Sequence, residues 1–94
     1  MMQKTSDTYN QEKNPFTLLE LKQGETAVIK RINGGRHMTA RMDGYGIREG
    51  KRIRLIRTAP FHGPLLVEDL TSGARIMIGR GMAKAVEVSP EKPS

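Results

Sequence analysis

Ninety-four residues with a net charge of +6 and no cysteine describe one small domain, able to bury about 60–65% of the surface its unfolded chain exposes. The missing cysteine excludes disulfides and thiolate metal sites, and an aromatic content of 4% leaves an aliphatic core in which methionine fills gaps. The positive charge asks for an anionic partner or surface, with nucleic acid, an acidic protein face and a membrane leaflet all open.

Residues 1–14 contain no Val, Ile, Leu or Phe and are expected to form a disordered polar tail. They lack an apolar run of signal-peptide length, and no stretch of the chain approaches the ~20 apolar residues of a spanning helix. A cytoplasmic protein is expected. The end of the chain, "SPEKPS" at 89–94, reads as a second, Pro-rich polar tail. The folded body is then 15–88.

Within that body Leu18 and Leu21 precede a turn at Gln23-Gly24, and the β-branched "TAVIKRI" at 26–32 predicts a strand. "NGG" at 33–35 predicts a turn, because asparagine and glycine accept positive φ cheaply. Met38, Met42 and Tyr45 then recur at i, i+4 and i+7, the core face of a short helix that Gly46 is placed to end in the left-handed conformation. "KRIRLI" at 51–56 predicts a strand with Ile53 and Leu55 on one face and Arg52 and Arg54 on the other. "PFHGP" at 60–64 is a loop bounded by prolines. "LLVEDL" (65–70) and "ARIMIG" (74–79) predict two strands joined by the tight turn "TSG". "GMAKAVEV" at 81–88 predicts a helical turn running into a last strand, with Val86 and Val88 inward. About five short strands at this spacing, with one short helix after the first, predict a mainly β, closed or partly closed small barrel.

Catalysis finds little support. The only histidines, His37 and His62, lie 25 residues apart, and no serine stands in a nucleophile elbow. Glu68 and Asp69 are adjacent in a strand, so they face opposite sides and make a poor acid–base pair. No enzyme and no cofactor are expected. Metal-ligand spacing is absent too, so nothing beyond adventitious metal at His37 or His62 is expected. "GYGIREG" departs from the dinucleotide fingerprint and follows a helix rather than a strand, which makes its glycines turn formers.

The basic residues remain. Arg48, Lys51, Arg52, Arg54 and Arg57 cluster in sequence, with Arg41 upstream. Sequence-tolerant binding of single strands usually adds aromatic stacking platforms, and only Tyr45 and Phe61 are at hand. A solvated strand face or a protein contact is therefore favoured over nucleic acid. Phe61 is either an anchor for a partner's pocket or a lid over one barrel mouth.

The succession "LLELKQGETAVIKRING", "RMDGYGIREGKRIRLI", "APFHGPLLVED" and "ARIMIGRGMAKAVEV" resembles the FeoA family, small proteins of bacterial ferrous iron transport. Arg41-Met42 leading to Gly46-Ile47 and Gly50 carries the family's helix-to-strand signature. Pro60 and Pro64 match its P-x-x-x-P loop, and Ala83, Val86 and Val88 match its closing segment. Tyr45 replaces the usual leucine or methionine, and "IGRGMA" at 78–83 departs from the common pattern.

The resemblance implies an SH3-like barrel and a cytosolic accessory to a FeoB-like transporter, a membrane protein with a cytosolic GTP-binding domain. The barrel also occurs as the carboxy-terminal module of iron-dependent repressors, so the alternative is a repressor- or nucleic-acid-associated module. With no helix-turn-helix before the barrel, the transport accessory is preferred. The expected protein-binding residues are Arg41, Arg48, Arg52, Arg54, Phe61 and His62. Exposed strand edges leave self-association open as well.

Overall fold

The computed structural model describes residues 15–91; the expected tail at 1–14 lies outside them, as do 92–94. A 3-10 turn at Leu18–Glu20 opens the body, capped by Thr17, whose hydroxyl accepts from the Leu19 amide while the Glu20 carboxylate reaches back to the Thr17 amide. This reciprocal box satisfies two donors that a helix start leaves orphaned. The strands are β1 (Thr26–Ile32), β2 (Arg52–Thr58), β3 (Leu65–Asp69), β4 (Arg75–Ile78) and β5 (Val86–Pro90). Helix α1 (Gly35–Gly44) joins β1 to β2, and the short α2 (Arg80–Lys84) joins β4 to β5.

All strand pairings are antiparallel, in the order β4-β3-β2-β1-β5. The sheet bends at two β-bulges, between Ile29 and Arg31 and between Leu55 and Arg57. Bulges of this kind increase local twist and let a five-stranded sheet curl around one core. That core gathers Leu18, Ile29, Met42, Ile47, Ile53, Leu55, Leu65, Val67, Ile78 and Val86, each under 2% exposed. The alternation expected of β2 holds, with Ile53 and Leu55 buried and Arg52 and Arg54 exposed. Val86 and Val88 are inward as expected.

Two expectations need correction. Tyr45 does not extend the core face of α1. The helix ends at Gly44, Tyr45 occupies its C-cap at 43% exposure, and the inward position passes to Ile47, whose amide bonds the Met42 carbonyl at 2.8 Å. Gly46 makes that reversal at φ +85, the left-handed conformation anticipated for it. The second correction is at the carboxy end, where β5 runs to Pro90. Ser89 and Pro90 pair with Val28 and Ala27, and the Glu91 amide bonds the Thr26 carbonyl. Residues 89–91 therefore belong to the sheet.

Among the described residues two carboxylates are buried, Asp69 and Glu87, and Asp69 shares the face of its strand with core residues. Asp69 follows Leu65 and Val67 on the buried face of β3 and is 5% exposed. It accepts from the Thr71 amide at 2.9 Å and from Lys51 Nζ at 3.2 Å. The Thr71 bond, with help from Lys51 and Ser72 and against the cost of burial, holds its pKa below the usual carboxylate value. A depressed pKa stabilises the fold above the unfolded-state value of about 4, and that contribution is lost as pH falls through the folded-state pKa. Asp69→Asn should therefore unfold at lower urea at pH 7. Its stability should also fall less than that of the wild type between pH 5 and pH 2, as urea midpoints across that range will show.

Candidate functional site

The hairpin between β2 and β3 carries the positive-φ non-glycine residues found among the described residues. The Ala59 amide donates to the Pro64 carbonyl at 2.9 Å, extending the ladder past the strands, and the Gly63 amide donates to the Pro60 carbonyl at 3.1 Å, closing a turn with two central residues. The tip residues are Phe61 and His62, with φ of 57 and 58. Positive φ at both central positions is the signature of a type I′ turn, a geometry that strongly prefers Asn-Gly. A phenylalanine and a histidine there cost about 1–3 kcal/mol each. Gly63 has no room for a side chain, since a Cβ would lie 2.7 Å from the Cβ of Ala59. Phe61 projects from this tip at 95% exposure, and His62 is exposed beside it. Of the two expectations for Phe61, the lid over a barrel mouth is set aside.

Behind the tip lies an apolar groove of about 440 Å³ on the outer face of the sheet, walled by Arg57, Pro60, Pro64, Leu66 and Met77. Leu66 is cross-strand partner to both Arg57 and Met77, so the three form one row across β2, β3 and β4. Met77 is 59% exposed. This groove went unseen in the sequence, where Met77 reads as one more apolar residue of a strand. Its signal was Met77's alternation with Ile76 and Ile78, which puts it on the outer face.

The expected arginines lie elsewhere and are largely engaged. Arg52 holds Glu91 through two bonds, Nε to Oε2 at 3.0 Å and Nη2 to Oε1 at 2.9 Å. This fork raises the Arg52 pKa, and together with Thr26 it lowers that of Glu91. Arg54 lies 3.7 Å from Glu68, its cross-strand neighbour, and Arg48 lies 3.0 Å from Asp43. Arg41 is exposed in the last turn of α1, with no carboxylate within 4 Å among the described residues. The six expected residues thus fall into separate groups. Phe61 and His62 share the hairpin tip, while Arg52 sits at the far end of a strand about 20 Å long. Arg48 lies in the turn that leads into β2, its carbonyl accepting from the Lys51 amide at 3.2 Å, and Arg41 lies on α1.

A second, larger groove of about 810 Å³ runs between α1 and residues 47–49, with Ile32, Arg36, Ala40, Ile47 and Arg48 among its walls. Its charges offset one another, Arg48 being paired with Asp43. Among the described residues no three His, Asp or Glu side chains converge on a point where they would hold a metal ion. No helix among them is long and apolar enough to cross a membrane.

A five-stranded antiparallel sheet curled on one core, with short helices after the first and fourth strands, defines a small SH3-like barrel. The FeoA domain model matches residues 16–90, and the chain belongs to the FeoA family. A Methanocaldococcus jannaschii protein named for Fe(2+) transport is 33% identical over 73 residues, which cover 78% of this chain and 84% of the relative. The zinc-complexed FeoA of Stenotrophomonas maltophilia, described as a prokaryotic SH3 domain protein, superposes with a TM-score of 0.68 at 25% identity. That match covers 82% of this chain and 96% of the other. A manganese-dependent transcriptional repressor superposes with a TM-score of 0.74 at 26% identity over 82% of this chain, which spans only 37% of the repressor.

The strain at the hairpin tip gives a direct prediction. Replacing Phe61 by Asn together with His62 by Gly supplies the residues a type I′ turn prefers. The double variant should raise the urea midpoint, with a stabilisation of about 1–3 kcal/mol for each relieved position as the upper range. An unchanged or lower midpoint would show that the wild-type tip carries no such strain.

Proposed function

We propose that this protein is a non-catalytic accessory of ferrous iron transport that docks on the cytosolic part of a FeoB-like transporter, with the Phe61 hairpin as its principal contact. The observation that carries this reading is the almost fully exposed Phe61 on a tip of left-handed backbone. An exposed aromatic brings a large apolar area and only two rotatable side-chain bonds into a partner's pocket, which is the character of an interface anchor. Backbone strain that persists in a folded protein concentrates at ligand clamps and switch regions. Family membership and the M. jannaschii relative supply the transport context. His62 shares the tip with Phe61.

The arginines enter this reading with a changed role. Arg52 and Arg54 bring charge to the outer face only where a partner's carboxylate displaces or shares Glu91 or Glu68. They contribute orientation and encounter rate more than affinity. Arg41 and Arg48 form a peripheral part of the contact. Docking acts on the transporter by differential affinity for one of its conformations, so that binding shifts their populations.

The repressor-associated alternative draws on the shared fold and the positive charge. Three of the described arginines that would face phosphates are instead paired with carboxylates, which weakens it.

Retention of the transporter from detergent-solubilised membranes on immobilised protein tests the reading. Wild type should retain it, Phe61→Ala should lose most of the signal, and Arg48→Ala should lose little. Equal retention by wild type and Phe61→Ala would overturn the assignment of the anchor, and no retention by wild type would overturn the docking itself.

A further inference from the structure

The register of β3 and β4 determines which backbone groups face the open side of the sheet. Asp69 donates to the Ala74 carbonyl at 2.8 Å. In an antiparallel ladder, bonded pairs alternate with unbonded ones. The bonded pairs that follow are Val67 with Ile76 and Leu65 with Ile78. Arg75 and Met77 consequently turn their N–H and C=O groups away from β3, toward the free edge of β4. Among the described residues nothing bonds to these groups. The opposite edge of the sheet differs, because Phe16 and Thr17 cover part of β5 through the Val88-to-Phe16 bond and the Thr17–Glu87 bridge.

The side chains along the open edge are those of the outer face. Met77 continues the apolar row that begins at Leu66, beside the groove behind the Phe61 hairpin. Arg75 lies opposite Glu68, which is also the neighbour of Arg54, while Arg57 closes the end of the apolar row. Arg54, Arg57 and Arg75 thus stand on this part of the face with one carboxylate, Glu68, which lies 3.7 Å from Arg54, and the face is positive. An unpaired edge with an exposed apolar residue is ordinarily a liability that proteins blunt, and this one is only four residues long. Here its chemistry instead specifies what completes it.

The geometry points to β4 as a strand-addition site for an extended, acidic segment of a protein partner. Added to the edge, such a segment takes up the four outward backbone groups of Arg75 and Met77. Its side chains alternate, so two residues spaced i and i+2 share the outer face. One is a large apolar residue against Met77, reaching toward the groove; the other is Asp or Glu beside Arg75. Added antiparallel to β4, the partner motif is therefore apolar-x-acidic in an extended stretch, a case of strand addition in which main-chain bonds supply affinity and alternate side chains supply specificity. A second copy of this chain fits the edge poorly. Its β4 would bring another Arg75 to a face that is already positive, on a molecule of net charge +6. This inference rests on the docking reading above, since it names the mode by which the surface beside Phe61 takes hold of its partner.

The test uses two short β-prone peptides that are identical except for Leu-Val-Glu or Leu-Val-Lys at the centre. Binding to the full chain is measured by calorimetry or fluorescence anisotropy, with oligomeric state followed by sedimentation. Three variants are compared. Met77→Ala shortens the side chain and keeps its N–H. Met77→Pro also removes that N–H, which faces solvent and not β3, a position where an edge strand tolerates proline. Arg75→Glu reverses the charge. The Glu peptide should bind wild type, and the Lys peptide should bind markedly less. Met77→Pro should bind about three- to tenfold more weakly than Met77→Ala, the worth of one backbone hydrogen bond. Arg75→Glu should reverse the peptide preference, and this keeps the test decisive if Met77→Pro fails to fold.

Binding of neither peptide, equal binding of both, or an unchanged preference in Arg75→Glu would overturn the strand-addition site. So would a dimer that Met77→Pro abolishes, because the occupant would then be a second copy. The transporter-retention experiment fails or succeeds independently. Peptide binding without transporter retention removes the transporter as the partner, whereas retention without peptide discrimination removes the β4 edge as the mode.

Discussion

The burial of Ile53 and Leu55 is the constraint from which the rest of the molecule follows. Both lie on β2, the middle strand of five, and each is 1% exposed. Because side chains alternate along a strand, a one-residue slip would exchange these two for Arg52 and Arg54 and place arginine in the core. No competing register has comparable stability. With β2 so held, its hairpin partner β3 must present Leu65, Val67 and Asp69 inward and Leu66 and Glu68 outward, and β4 must present Met77 outward in turn. The outer row Arg57–Leu66–Met77 is thus a consequence of packing on the other side of the sheet.

The same register carries into the hairpin tip. The β2–β3 ladder continues to the Ala59–Pro64 bond, and the Gly63-to-Pro60 bond then closes a turn whose two central residues reverse the chain. A two-residue reversal matches the twist of the strands only in the mirror-image turns, so Phe61 and His62 are driven into positive φ. The core supplies the energy that keeps them there. A tip built for stability alone would carry Asn-Gly, and the residues present give up stability while placing an aromatic ring in solvent.

Much of this architecture is legible in the sequence because it rests on local periodicity. The alternation of "RIRLI", the β-branched run at 26–32 and the glycine at 46 each bring a strand or a turn out of neighbouring residues alone. What escapes is set by distant partners or by turn geometry without its usual residues. Tyr45 has helical spacing, yet the helix stops one residue before it because Ile47 supplies the next core contact. "SPE" at 89–91 looks like a tail until β1 is there to pair with it and Arg52, 39 residues earlier, takes Glu91. Phe-His gives no type I′ signal at all. The arginines, read as a bare basic strand, acquire carboxylate neighbours from β3 and β5 only once the sheet has formed.

Hydrogen exchange at individual amides tests most directly whether this face works by completing its open edge. In the free protein the amides of Arg75 and Met77 point away from β3 and should exchange fast, while those of Ile76 and Ile78, bonded within the ladder, should exchange slowly. On addition of the cytosolic domain of the proposed FeoB-like partner, Arg75 and Met77 should become protected together with the Phe61 hairpin. Protection that appears instead at α1 and residues 47–49, with Arg75 and Met77 still exchanging freely, would contradict the account.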